Sequence, residues 1–150
     1  MNWLKFFRNE QGLTQEEFSK KTKIPLSTLK RIENADSVSD SYLTQIAKAF
    51  DVNLCQVSEK ACIEDARKTA KLVYSSLPPD FSKDTLMYRK NAIIGACSRG
   101  DANTVIENIL LCTGLITSTY SEFIFTVIAD MKYNLDHTKA VVYAFVNALN

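Results

Sequence analysis

Apolar residues recur at intervals of three and four along most of the chain, and short polar turns separate the stretches in which they do so. Leu4 and Phe7 share one side of the first stretch, and Leu43 and Ile46 share one side of a later one. Such spacing places apolar side chains on one face of an α-helix. The first third of the chain therefore predicts helices over residues 3–9, 15–23, 26–34 and 40–50, with a short fifth turn over 54–57.

The most informative stretch runs from Leu13 to Asn34. Thr14 is a good helix N-cap, and Glu17 lies where a carboxylate can reach back to the backbone of the cap. Pro25 suits the start of a second helix, because the first turn of a helix leaves unpaired the N–H that proline lacks. The stretch thus predicts two short helices joined by a tight turn.

The second helix of this pair has one apolar and one polar side. Leu29 and Ile32 are spaced to pack it against its neighbours. The outer side then carries hydrogen-bond donors of different lengths, which suit the base edges in the major groove of DNA. These donors are Ser27, Thr28, Lys30 and Arg31.

This pattern resembles the helix-turn-helix of the phage-repressor and Cro family, often called XRE-like, and the resemblance extends over residues 3–57. It is carried by Arg8, by residues 12–18 and 27–34, and by the later helix from Tyr42 to Phe50. The resemblance implies a five-helix lambda-repressor-like DNA-binding domain. It also implies that Gln15 and Asn34 approach phosphates, that Arg8 pairs with Glu33, and that Leu26, Ser27, Thr28, Lys30 and Arg31 face the major groove.

Three features depart from the family pattern. Lys23 stands where a glycine is usual, so we expect a non-glycine residue in the left-handed conformation. Ala35 replaces the glycine usual after the recognition helix, and Asn34 can adopt the left-handed conformation in its place. The loop from Asp36 to Asp40 is acidic where relatives often carry basic residues, which predicts modest affinity for phosphate.

The remainder of the chain is also expected to be helical, which gives an all-α protein. Residues 58–77 predict a linker helix, and Pro78 and Pro79 break it. The second domain begins near this break or within the linker helix. Gly100 and Gly114 are expected left-handed C-caps. A bundle of about four helices is predicted over residues 82–98, 101–112, 118–132 and 136–149, with a core of Leu86, Ile93, Ile94, Cys97, Val105, Ile109, Phe123, Val127, Val141, Phe145 and Leu149.

The last predicted helix is apolar on more than one face. Val142 and Val146 add to the core positions there, and Phe123 and Phe125 cannot both point into one small core. A helix that is apolar nearly all round is buried centrally or against a partner. We expect a homodimer held through the C-terminal half, and the alternative is that the linker helix covers this surface within one chain.

Composition limits the chemistry. The chain of 150 residues has a net charge of +1, and up to Phe50 it carries eight Lys and Arg against six Asp and Glu. One such module neutralises few phosphates, so dimerisation is expected.

Cys55, Cys62, Cys97 and Cys112 are expected to be buried thiols, and His137 a solvated residue of a helix first turn. No metal site, cofactor or enzyme signature is indicated.

The expected function is a sequence-specific DNA-binding regulator, a repressor acting on palindromic operators. The alternative is a phage or mobile-element protein whose C-terminal domain inhibits a protein target, such as a CRISPR component of a host defence system, while the helix-turn-helix autoregulates its gene. No signal peptide or membrane-spanning run is evident, so we expect a cytoplasmic protein. A pull-down with residues 76–150 separates the two readings: self-association supports the regulator, and a stable foreign partner supports the inhibitor.

Overall fold

The computed structural model describes residues 3–114, 123, 126, 130 and 134–150. Every regular element among these residues is helical, so the fold is all-α as expected. The contacts divide the chain into two compact units, Met1–Ala61 and Cys62–Asn150. Met1 and Asn2 lie outside the described residues.

The first unit contains four short α-helices and one 3₁₀ turn. All the predicted helices are present, and their ends differ from the predicted ones by no more than a residue. The fifth element is a 3₁₀ turn that follows Asn53, whose side chain makes no capping bond. The elements are α1 (Trp3–Glu10), α2 (Gln15–Thr22), α3 (Leu26–Glu33), α4 (Asp40–Phe50) and the turn Leu54–Gln56.

Three phenylalanine rings pack together in the core of the first unit. The rings of Phe18 and Phe50 stack with 5.2 Å between their centroids. Phe7 meets Phe50 edge-on at 5.1 Å and Phe18 at 6.4 Å. Such offset and edge-to-face contacts add to the burial of apolar area. The ring cluster joins α1, α2 and α4, and Leu29 and Ile32 bring α3 into the same core.

Backbone conformation departs from expectation at one of the two sites where a glycine is missing. Lys23 has φ +61°, so the expected left-handed residue in the turn is confirmed. Asn34 has φ −99° and is right-handed, so the expectation there is wrong. Two backbone hydrogen bonds between residues three positions apart close the last turn of α3. They run from Asn34 N to Arg31 O and from Ala35 N to Ile32 O, each 3.3 Å. Among the described residues, the other left-handed residue that is not a glycine is Asp51, after α4, with φ +52°.

The second unit also consists of helices in its described part. Phe123, Thr126 and Asp130 are helical, and the rest of the helix predicted over 118–132, including Phe125 and Val127, lies outside the described residues. Asp65 Oδ2 accepts a hydrogen bond of 2.8 Å from Phe123 N. The fully described helices are α5 (Glu59–Ser75), which begins in the last residues of the first unit, α6 (Lys83–Arg99), α7 (Ala102–Thr113) and α8 (Leu135–Asn147).

Capping residues set the ends of α6 and α7. Ser82 Oγ accepts from the backbone N–H groups of two first-turn residues of α6, and Asp101 Oδ1 accepts from Thr104 N at the start of α7. Gly100 has φ +75°, which confirms the expected left-handed C-cap. Gly114 has φ −61°, so the same expectation for that glycine is wrong. Its N–H continues the helical pattern to Leu110 O at 2.8 Å, and this end requires no left-handed residue.

The apolar faces of α8 are buried within its own unit. Val141, Val142, Phe145 and Val146 each have 0% of their surface exposed. The ring of Phe123 lies 5.3 Å from that of Phe145. The expectation that this helix presents a dimer surface is therefore wrong, because the chain itself covers it.

The predicted core residues of the second unit that the structure describes are all buried except one. Ile94 is 38% exposed, because it lies on the flank of α6 away from Ile93 and Cys97. All four cysteines are buried and none forms a disulfide bond, which confirms the expectation that they are buried thiols. Burial raises the pKa of the Cys97 and Cys112 thiols above the ordinary value.

The expectation that His137 is solvated is wrong. Its side chain is only 7% exposed, and its Nε2 lies 3.9 Å from Asp130 Oδ2. Burial lowers the pKa of His137 to about 4 even though a carboxylate lies nearby. The cost of desolvating the charged imidazolium therefore exceeds its attraction to the carboxylate. As a result, the folded chain holds a neutral histidine at neutral pH.

Stability of the second unit should fall as the pH falls from about 6.5 to 4. In that range the unfolded chain binds a proton at His137 that the folded chain does not, which favours unfolding. Between pH 7 and pH 4.5 we expect a loss of about 2 kcal/mol from this group. Urea unfolding followed by circular dichroism measures it, and His137→Gln is the control. An equally steep pH dependence in the variant would contradict the assignment.

Candidate DNA-binding surface

The outward side of α3 is polar. Ser27, Lys30, Arg31 and Asn34 are exposed, and their spacing of three, four and seven residues places them on one stripe of the helix. The Asn34 side chain bends back, and its Nδ2 donates to Lys30 O at 3.0 Å. Leu26 and Thr28 are half-buried beside this stripe.

Thr14 caps the start of α2, but the reciprocal capping box expected between Thr14 and Glu17 does not form. Thr14 Oγ1 accepts from Glu17 N at 3.2 Å. The Glu17 carboxylate accepts from the Thr14 hydroxyl at 3.1 Å, in place of the Thr14 backbone N–H that a capping box would use. The cap position is thus confirmed, whereas the carboxylate bond differs from the one expected.

Side chains satisfy the backbone at the turn between α2 and α3. Ser19 Oγ donates to Ile24 O at 2.5 Å, and Gln45 Nε2 from α4 donates to Thr22 O at 2.8 Å. The left-handed Lys23 ends α2, the bond from Gln45 satisfies a carbonyl group that the helix end leaves without a partner, and the bond from Ser19 satisfies a carbonyl group of the turn itself. The sequence pattern did not indicate either role, because the Ser19 bond depends on the geometry of the turn and Gln45 lies on another helix.

A buried ion pair fixes the last turn of α3 to α1. Arg8 Nε donates to Glu33 Oε1 at 2.5 Å, and Arg8 Nη2 lies 3.4 Å from Glu33 Oε2. The two side chains are only 11% and 2% exposed. Arg8 Nη1 also donates to Leu13 O at 2.9 Å, so one guanidinium group contacts α3 and the segment that precedes α2.

Gln15 completes this buried polar network. Its Nε2 donates to Glu33 Oε2 at 2.6 Å, and the Gln15 side chain is half-buried. The sequence contained a signal for this role. Glu33 follows Ile32 and lies four residues after Leu29, on the inward stripe of α3, and a buried carboxylate needs more than one donor.

The comparison with protein families decides the identity of this region. A family model described as Helix-turn-helix matches residues 4–57. Residues 4–57 are a helix-turn-helix domain of the XRE type. No family model matches the C-terminal half. Searches of curated proteins and of solved structures gave no match to the chain.

Surface charge around the helix-turn-helix domain is mixed. Lys23, Lys30 and Arg31 are exposed, and so are Asp36 and Asp40. In α2, the ammonium group of Lys21 lies 4.5 Å from the centroid of the Phe50 ring, which is a cation–π contact. The domain therefore has local cationic groups without a strong overall positive field.

Two kinds of feature are absent from the described residues of both units. No described helix of the chain is both long and apolar enough to cross a lipid bilayer. Within the part of the chain that the structure describes, no group of three or more histidine, cysteine or acidic side chains is placed to hold a metal ion.

Replacing Glu33 by alanine should destabilise the helix-turn-helix domain by about 3 kcal/mol, because Arg8 would keep its charge in a buried site without a partner. Trp3 is the sole tryptophan of the chain and is buried in the first unit, so urea unfolding followed by its fluorescence reports on this domain. The matched control is the double variant Arg8→Met/Glu33→Met, which removes both charges and should stay within about 1 kcal/mol of the wild type. Equal losses in the two proteins would contradict the proposed reason.

Replacing Lys23 by glycine should stabilise the domain by about 0.5–1 kcal/mol. A side chain is strained at φ +61°, and glycine relieves this strain although it gives the unfolded chain more freedom. Lys23→Ala is the control, since it removes the same charge and keeps the Cβ atom. Tryptophan fluorescence during thermal unfolding measures both variants, and equal melting temperatures for the two would refute the prediction.

Proposed function

We propose that this protein is a sequence-specific transcriptional repressor that acts in the cytoplasm as a homodimer on palindromic operators. The observation that carries the proposal is the placement of α3 within a helix-turn-helix domain. A buried ion pair fixes its last turn, Leu29 and Ile32 fill the core, and the opposite stripe of donors is exposed. An exposed helix held in this way can enter the major groove as a rigid element.

The exposed stripe combines two kinds of donor. Lys30 and Arg31 can reach base edges or phosphates, and arginine and lysine recognise guanine O6 and N7. Ser27 on the stripe and the half-buried Thr28 beside it are short donors near the start of the helix, which is the end that contacts bases in this class of domain. Half-buried Leu26 can contact a thymine methyl group. The mixture supports recognition of a defined sequence.

The charge of the domain supports a dimer. Among residues up to Phe50, eight cationic and six acidic side chains are present, and Arg8 and Glu33 neutralise each other in the core. A single domain can therefore neutralise few phosphates at cellular salt. Two domains related by two-fold symmetry double these contacts and fit half-sites about 10–10.5 base pairs apart.

Repression follows from binding alone. A dimer that occupies an operator excludes other proteins from the same DNA, and it needs no further chemistry. The organisation of the chain, a DNA-binding domain joined to a second helical unit, is sufficient for this role if the second unit supplies the association.

Alanine at both Lys30 and Arg31 should abolish most specific binding, because each good base contact contributes about 1–3 kcal/mol. The DNA is a sequence selected by the wild-type protein from a random double-stranded library, and gel shift gives the affinity. The control replaces Lys60 and Lys68 of α5 by alanine, which removes two exposed cations from a different helix. Undiminished affinity of the first variant would exclude α3 as the reading element.

The full chain should sediment as a dimer, and residues 1–61 alone should sediment as a monomer. The cut after Ala61 follows the boundary between the two units and removes all the buried residues of α5. Analytical ultracentrifugation over a range of concentrations measures both proteins, and the selected DNA should contain an inverted repeat. A monomeric full chain, or a fully dimeric N-terminal fragment, would contradict association through the C-terminal half.

A further inference from the structure

The Gln15–Glu33 hydrogen bond joins two positions that are far apart along the helix-turn-helix. Gln15 is the first residue of α2 and Glu33 is the last residue of α3, so both lie at the helix ends remote from the turn. The turn itself is held separately, by the bonds from Ser19 to Ile24 O and from Gln45 to Thr22 O. The two helices are therefore linked at the turn and again at their free ends.

A link at the free ends controls the angle between the helices. An eight-residue helix is about 12 Å long, so a tilt of about 10° at the turn moves its far end by about 2 Å. A displacement of that size breaks a hydrogen bond of 2.6 Å between Gln15 Nε2 and Glu33 Oε2. Because the acceptor is a buried carboxylate, the bond is stronger than one between neutral groups.

The same bond determines which way the Gln15 amide faces. A carboxylate accepts hydrogen bonds only, so the amide must turn its NH₂ group, and not its oxygen, toward Glu33. Arg8 holds the same carboxylate in place through its bond to Oε1 and a longer bond of 3.4 Å to Oε2. The donor nitrogen of Gln15 is thus engaged inside the domain.

We propose that Gln15 is a positioning residue that fixes the angle between α2 and α3 through Glu33, and that it supports DNA binding by this route. This role replaces the phosphate contact that the family resemblance implies for Gln15. The proposal rests on the proposed DNA-binding function for its effect on affinity. Its structural part, the fixed angle, can be measured without DNA.

The first test compares Gln15→Met in two backgrounds. Methionine keeps the length and helix propensity of glutamine and removes the donor. In the wild-type background the variant should bind the selected DNA about tenfold more weakly. In the Arg8→Met/Glu33→Met background the carboxylate is absent, so the same change should reduce affinity less than about twofold.

Two outcomes of the affinity test would overturn the proposal. Equal losses in the two backgrounds would mean that Gln15 contacts the DNA itself. No loss in the wild-type background would mean that Gln15 has no part in DNA binding. Circular dichroism of each variant establishes that the folded fraction is unchanged at the temperature of the titration.

The second test needs only the single variant and no DNA. Amide hydrogen exchange at the end of α3, in Ile32, Glu33 and Asn34, should become about tenfold faster in Gln15→Met, while exchange in α4 stays constant. Gln11→Met is the matched control, since Gln11 is an exposed glutamine in the segment before α2. Unchanged exchange in α3 would overturn the proposal. Altered exchange in a protein that selects no DNA sequence would refute the proposed function and leave the positioning role supported.

Discussion

The helix-turn-helix domain depends on one buried carboxylate. Glu33 lies at the end of a helix of eight residues, which is too short to be stable by itself in water. Its two oxygens accept from Arg8 and from Gln15, so one group ties α3 to α1 and to α2. A buried charge requires such partners because the loss of hydration is costly. The network therefore constrains the position of α3 more than it adds to the free energy of folding.

Apolar packing and polar contacts have different roles in this domain. The rings of Phe7, Phe18 and Phe50 and the buried Leu29 and Ile32 supply the contact area that stabilises the fold. Such packing is not directional, and by itself it allows small changes in helix orientation. Hydrogen bonds at the turn and at the free ends of α2 and α3 define the orientation, which is the property that a surface for DNA requires.

The second unit follows a different design. Its last helix, α8, is apolar on several sides because the chain surrounds it, and Val141, Val142 and Phe145 have no exposed surface. The same burial keeps His137 neutral beside Asp130. A dimer formed through this unit must therefore use side chains other than the apolar ones of α8.

Local sequence determined the elements of this protein, and tertiary structure determined their surroundings. Helical periodicity, the cap Thr14, and the left-handed Lys23 and Gly100 depend on neighbours within a few residues, so the sequence was sufficient for them. The right-handed Asn34 and Gly114, the buried His137 and the exposed Ile94 were not predicted, and the cover of α8 by its own chain was only the alternative to a dimer surface. Burial depends on which distant segments meet, and periodicity cannot distinguish a helix covered by its own chain from one covered by a partner. The Gln15–Glu33 bond is of the same kind, because two residues eighteen positions apart become neighbours only when the helices have packed.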